Sequence, residues 1–179
     1  TIMFFTIPAA IGLALLREPL TTVLLQRGEF GAGETAITAA ALGLLCIGVV
    51  PQSGIEIHSR GFYALGDTRT PVAVTIVGVI VNVLLSAILW NRFEIEGLAI
   101  ALSTASWVEW LLLYFLYARR TDSTLTTASD LNGIARVAIA GSVMALFLAI
   151  ILPSFSGAGM ASSFITVTVG ATAGLVIFI

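Results

Sequence analysis

The chain has 179 residues, 58% of them hydrophobic and 10% charged, with a mean hydropathy of +1.06 and a formal net charge of −2. A soluble domain carries about 25% charged residues, so a chain with less than half of that, and with apolar runs of about 20 residues, belongs in lipid. This excludes a soluble enzyme, a disordered tail and a nucleic-acid binder, which would need a basic footprint.

About 20 helical residues cross a hydrocarbon core some 30 Å thick. Six spans are predicted, making an all-α, polytopic transmembrane bundle. The first covers 1–16 and contains Pro8. The second covers 35–63, with Pro51 and Gly54 interrupting it, so that its inner half is kinked or partly outside the membrane. The third, 71–90, opens with Pro71 in its first turn. The fourth covers 97–118, the fifth 134–152 and the sixth 162–179. The chain starts and ends inside apolar runs, without a basic leader, and is read as a section of a longer membrane protein. Between the spans lie a longer connector from Arg17 to Glu34, the tight turn Gly66-Asp67-Thr68-Arg69-Thr70, and the acidic Asn91 to Glu96. A Ser/Thr-rich linker over 121–133 and a small uncharged segment over 153–162 complete the set.

All eight basic residues are Arg, and their placement orients the chain. Arg60, Arg69, Arg119, Arg120 and Arg136 fall on one side; Arg17, Arg27 and Arg92 fall on the other, diluted by Glu18, Glu29, Glu34, Glu94 and Glu96. The positive-inside rule puts the Asp67 and Arg119 turns in the cytoplasm.

An ionisable group at bilayer depth costs about 2.5–3.5 kcal/mol, so each one is a candidate for function. Glu56 and Arg60, four apart on one helical face, either line a water-filled cavity or satisfy each other near the interface. His58, on another face, is a proton carrier or a hydrogen-bonded interfacial histidine. Glu109, between Trp107 and Trp110, either binds a cation or proton inside the bundle or snorkels within an aromatic belt. Asn82 and Ser86 give the third span a polar stripe. It serves hydrogen bonding between helices, or a cation site completed by oxygens from elsewhere. Ala99, Ser103, Ser106, Gly170 and Gly174 permit close helix packing. The single Cys46 is a small core residue and forms no intramolecular disulfide. With one Cys, one His and no HExxH, GxSxG or phosphate-loop motif, the chain is read as carrying no enzyme. No metal site and no resident cofactor are expected.

The run Phe62-Tyr63-Ala64-Leu65-Gly66-Asp67-Thr68-Arg69-Thr70-Pro71-Val72, with Gln26-Arg27-Gly28-Glu29-Phe30 upstream and Gly97-Leu98-Ala99-Ile100-Ala101 downstream, resembles the MurJ/MviN family. These are the lipid II flippases of bacterial cell-wall synthesis. The resemblance covers about residues 1–120; the last two spans match in number and placement. It implies an exporter fold of fourteen helices in two six-helix lobes plus two C-terminal helices, of which this chain would be helices nine to fourteen. Residues 1–120 would then be four helices of the second lobe, 121–133 a cytoplasmic linker and 134–179 the C-terminal pair. The implied cytoplasmic turn at Asp67 agrees with the Arg count. The family carries a lipid-linked disaccharide-pentapeptide from the cytoplasmic to the periplasmic leaflet of the inner membrane by alternating access. Partners would be the bilayer, that substrate and the first lobe of the same protein. The essential cavity arginines of the family lie outside this stretch, and none transfers. Some members bind a cation through an Asn and an Asp one turn on. Asn82 matches, but Ser86 replaces the Asp, which puts ion coupling, whether to a monovalent cation or to membrane potential, in question.

Within that resemblance Asp67, Thr68 and Arg69 read as a cytoplasmic hinge or gate, or else as a plain capped turn. The alternatives for the whole are a related polysaccharide or drug exporter of the same fold, or a non-transporting scaffold of cell-wall synthesis.

Overall fold

The computed structural model describes residues 2–25 and 31–121, together with 141, 142 and 146, with side chains from Thr6 onward. Residues 2–121 form four helices: α1 (Ile2–Leu15), α2 (Arg17–Leu25), α3 (Ala32–Ala64) and α4 (Arg69–Thr121). Among the described residues the expected count of six helices is not met. The predicted spans over 134–152 and 162–179, and the linker beyond Thr121, fall outside the described residues except at 141, 142 and 146. Gly141 lies against Ile7 and Ile11 of α1.

The stretch read as a connector after Arg17 is helical. Pro19 has no N–H to give to the carbonyl of Leu15, so α1 cannot continue through it. The chain breaks at Leu16 and turns by 68° into α2, where proline is tolerated in the first turn. Thr21 and Thr22 then bond back onto the carbonyls of Arg17 and Glu18 at 2.8 and 2.9 Å.

α3 begins where the Glu34 carboxylate reaches back to the N–H of Gly31 at 2.9 Å, satisfying one of the orphan amides of the helix start. Neither Pro51 nor Gly54 interrupts it: its 33 residues form one helix, about 50 Å long. Pro51 does leave the carbonyl of Ile47 without its usual intrahelical donor. The indole N–H of Trp107, on α4, donates to that carbonyl at 3.2 Å. A partner from the neighbouring helix thus repairs the proline defect, as an apolar surrounding requires.

α4 is two spans in one element. It is broken at Glu94, whose backbone has φ 45° and ψ −119°. Drawn straight, residues 34 apart would be separated by about 51 Å, yet Thr75 donates to Glu109 at 2.8 Å. The arms 69–93 and 95–121 therefore fold back on each other. They are the predicted third and fourth spans, and the acidic loop between them is helical up to the break at Glu94. Gly97 is required at the fold: a β-carbon there would stand 2.8 Å from the backbone oxygen of Leu89. Glu94 sits in a left-handed region that favours glycine. Glu94→Gly is expected to raise the melting temperature of the purified protein, through relief of about 1 kcal/mol of strain; an unchanged or lower value would contradict the strained turn.

α3 and the second arm run parallel and are stitched along their length. Ser103 donates to the carbonyl of Leu44 at 2.8 Å, and Gln52 reaches the hydroxyl of Ser106 at 3.5 Å. Gly48, Gly54 and Gly61 of α3 lie under Ser103, Trp110 and Tyr117 in turn. Such close approach over small residues, with interhelical hydrogen bonds averaging about 0.6 kcal/mol, is how helices associate when the solvent is itself apolar. Phe62, Val74 and Leu113 make the buried cluster where α3 and both arms meet. Ile76, Ile80, Val83 and Ile88 of the first arm stay exposed, an apolar exterior suited to lipid or to further helices.

Candidate functional site

The polar end of the bundle is built by the turn between α3 and α4. Gly66, at φ 74°, closes α3: its N–H bonds to Tyr63 and that of Asp67 to Phe62, both at 3.0 Å. This is a Schellman closure, and the positive φ is why glycine stands there. The next residue opens α4. Asp67 Oδ1 accepts the N–H groups of Arg69 and Thr70 at 3.1 Å, and Oδ2 accepts the Thr70 hydroxyl at 2.7 Å. Pro71 follows within the first turn. One residue ends a helix and the next begins another, so the turn has little freedom of its own.

The far end of α4 returns to this turn. Arg120 Nη1 bonds Asp67 Oδ2 at 2.6 Å, across 53 residues of sequence. The Asp67 side chain is 11% exposed, that of Arg120 56%. The hydroxyl and amide of Thr70, helped by the Arg120 guanidinium and the Arg69 amide, hold the Asp67 carboxyl below the usual carboxylate range, against the opposing effect of burial. A depressed acid contributes its stabilisation fully above its unfolded pKa, about 3.9, and loses it as pH falls through the lower folded value. The turn is therefore expected to stay closed throughout the physiological range and to loosen only below about pH 4. Melting of the wild type against Asp67→Asn across pH 3–7 reads this: the two curves should converge in acid, and a constant gap would refute it.

Thr68 and Arg69 are exposed beside the turn, and Arg69 takes part in it through its backbone N–H. Glu56 and Arg60 pair with each other at 2.7 Å on an exposed face, 60% and 68% accessible, and neither bonds to the Asp67 turn. His58 donates Nδ1–H to the carbonyl of Gly54 at 2.7 Å, which fixes its tautomer, and its ring meets Tyr114 and Tyr117 edge-on.

Glu109 sits elsewhere, between the arms of α4. Its Oε1 accepts from Thr75, and its Oε2 occupies the space a β-carbon on Gly78 would need. Trp107 and Trp110 face α3 on the other side of the arm; the Trp110 N–H is buried over Gly54 without a partner among the described residues. Asn82 and Ser86 bond to each other at 3.3 Å. Their two oxygens are fewer than the six or so a hard cation takes, so other donors would have to come from outside them. The structure thus brings Asp67 together with Arg120, and keeps Glu56–Arg60, Glu109–Thr75 and Asn82–Ser86 as separate pairs. Sequence reasoning singled out neither Arg120 nor Thr75 as a partner. For Trp107 a signal did exist: Pro51 inside a membrane helix demands a donor for the carbonyl four residues back.

The family model for the lipid II flippase MurJ matches residues 1–170. A probable lipid II flippase MurJ of Rhizobium tropici is 32% identical over 145 residues, covering 74% of this chain and 27% of that protein. Its counterpart in Rhizobium meliloti (strain 1021) is 33% identical over 150 residues, covering 82% and 27%. A solved structure of lipid II flippase MurJ, in an inward closed conformation, superposes with a TM-score of 0.79 over 98% of this chain and 35% of that one, at 22% identity. The likeness there is one of fold. The chain spans about a quarter of the length of these curated relatives.

Proposed function

Because the chain belongs to the lipid II flippase MurJ family, we propose that it is a section of a bacterial inner-membrane transporter, comprising the later helices of its second lobe and its C-terminal pair. The transporter moves a lipid-linked disaccharide-pentapeptide from the cytoplasmic to the periplasmic leaflet by alternating access. The observation that carries the reading is the family match over residues 1–170; the function of the relatives as lipid II flippases supports the substrate.

The Asp67 turn is the gate element in this reading, on the side that the count of Arg60, Arg69, Arg119 and Arg120 assigns to the cytoplasm. Alternating access needs rigid helices that exchange polar partners at their ends. The turn supplies both parts. The two caps make a stiff corner, while Arg120 and Arg69 can be released from it or recruited to it as the lobes rock. Asn82 and Ser86 lie on the first arm where a coupling cation would touch it, with the remaining ligands supplied by helices beyond this stretch. Glu109 ties the two arms so that they move as one body.

The test is complementation of a flippase-depleted strain by the full-length gene. Arg69→Glu is expected to slow growth several-fold while leaving membrane insertion intact, because the side chain is exposed and only its backbone enters the cap. Wild-type growth with Arg69→Glu would remove the gate assignment. Failure of the unaltered gene to complement would remove the substrate assignment.

A further inference from the structure

A cavity of about 260 Å³ opens between α2 and the first turns of α3. Arg17 and Glu18 line it from the start of α2, and the small residues Ala36 and Ala40 line it from α3. The two opposite charges do not pair, since the ion pairs among the described residues are Glu56–Arg60 and Asp67–Arg120. The hydroxyls of Thr22 and Thr35, also in the wall, are occupied by the carbonyls of Glu18 and Gly31. Among the described residues, the polar groups at the cavity without a partner are therefore the Arg17 guanidinium and the Glu18 carboxylate.

Their depth narrows what they can bind. The Arg17 side chain lies across α3 at Gly43, where a β-carbon would stand 2.6 Å from Nη1. That point is about 16 Å along a helix of about 50 Å, which exceeds the hydrocarbon core by about 20 Å. With that excess shared between the two ends, the cavity walls over 32–40, within about 12 Å of the helix start, stand at the boundary between headgroups and acyl chains, and the Arg17 guanidinium lies just beneath it. A guanidinium cannot shed its proton there, and its forked donors match a phosphate. A phosphate alone would leave Glu18 unanswered; a phosphate carrying an ammonium on a short arm answers both. The cavity is smaller than the 300–1,000 Å³ or so of drug-sized sites, which suits a headgroup and excludes a disaccharide-peptide.

We propose that this cavity holds the headgroup of a zwitterionic amino-phospholipid, with its phosphate on Arg17 and its primary ammonium on Glu18. The alanine face of α3 at Ala36 and Ala40 leaves room for the glycerol end. A primary ammonium is specified because Glu18 accepts N–H hydrogen bonds, which a trimethylated amine cannot give. The assignment does not depend on the transport reading, because it is read by binding alone.

The experiment uses the full-length protein carrying this chain, stripped of lipid in detergent, with native mass spectrometry of added phosphatidylethanolamine, phosphatidylcholine, phosphatidylglycerol or inorganic phosphate. Phosphatidylethanolamine should be retained over the other two lipids. Arg17→Met should weaken it by about tenfold or more, and Glu18→Gln should lower it to the level of phosphatidylcholine while leaving that lipid unchanged. Should Arg17→Met fold poorly, Ala36→Leu fills the cavity without touching either charge, and it should lower retention at an unchanged melting temperature in lipid-free detergent. Equal retention of all three lipids, a preference for phosphatidylglycerol, or retention indifferent to Ala36→Leu would overturn the proposal. So would inorganic phosphate that displaces the lipid and binds equally well alone, which would mark a bare anion site.

Discussion

Gly54→Leu is expected to destabilise the protein by about 3 kcal/mol, the upper end of the range for overpacking a closed contact. The α3 backbone and the Trp110 indole touch at this glycine, so that even a β-carbon would collide with the ring. The indole has no easy retreat. It is held next to Trp107, 5.3 Å away between ring centres, and Trp107 is itself tied to the carbonyl of Ile47. Gly61 makes an instructive control. A β-carbon there meets the outer ring atoms of Tyr117 at 2.8–3.3 Å, and that ring is flanked by His58 and Phe62, so the smaller Gly61→Ala change should cost about 1 kcal/mol, well below Gly54→Leu. Melting temperature and yield of the full-length protein in detergent read both. Shrinking the partner, as in Gly54→Ala with Trp110→Leu, should recover much of the loss. A Gly54→Leu protein that melts like the wild type would mean that α3 and the second arm are not in contact at that level.

Arg120→Glu should separate stability from transport. The side chain of Arg120 is more than half exposed, and an ion pair of that kind is worth about 0–1 kcal/mol, less in salt. Melting should therefore change little. If closing this end of the bundle is part of the transport cycle, two carboxylates facing each other there should cut flux about tenfold or more, equivalent to about 1.4 kcal/mol on the rate-limiting step. Arg120→Lys keeps the charge but loses the planar donor fork, and should fall between. Asp67→Asn keeps an oxygen for the Arg69 and Thr70 amides, so the cap survives while the charge is lost. Its flux should resemble that of Arg120→Gln, and the double variant should add nothing further. Complementation rate beside melting temperature makes the measurement. Flux that merely follows melting would reduce the pair to a structural tie.

Local spacing made part of the candidate site legible. Glu56–Arg60 and Asn82–Ser86 are pairs four apart on one helix, and each is found bonded as a pair. Gly66-Asp67 before Pro71 is a stop and start written in adjacent residues, and the helices end and begin around it. Glu109 had no such local clue. Its partner Thr75 lies 34 residues back, and the choice between an interior carboxylate and a snorkelling one depended on where the hairpin folded. Arg120 was visible as a positive charge for orientation, but its distance from Asp67 in the chain concealed the contact. The helix after Arg17 was missed because its nine residues mix Thr, Pro and charge with leucine, and its hydropathy resembles that of a loop.

Oily composition and the proline and glycine punctuation determined by themselves that these segments are long apolar helices suited to a membrane, and that a corner stands at Asp67. Hydropathy is a property of each stretch alone, and the bilayer enforces it residue by residue. Which faces meet was decided only by the folded structure: the parallel seam of α3 with the second arm, the Trp107 repair of Pro51, and Arg120 closing on Asp67. In lipid, the buried and the outward faces of a helix are both apolar, so no periodicity marks the seam. The polar groups that specify it find one another only after the chain has folded back.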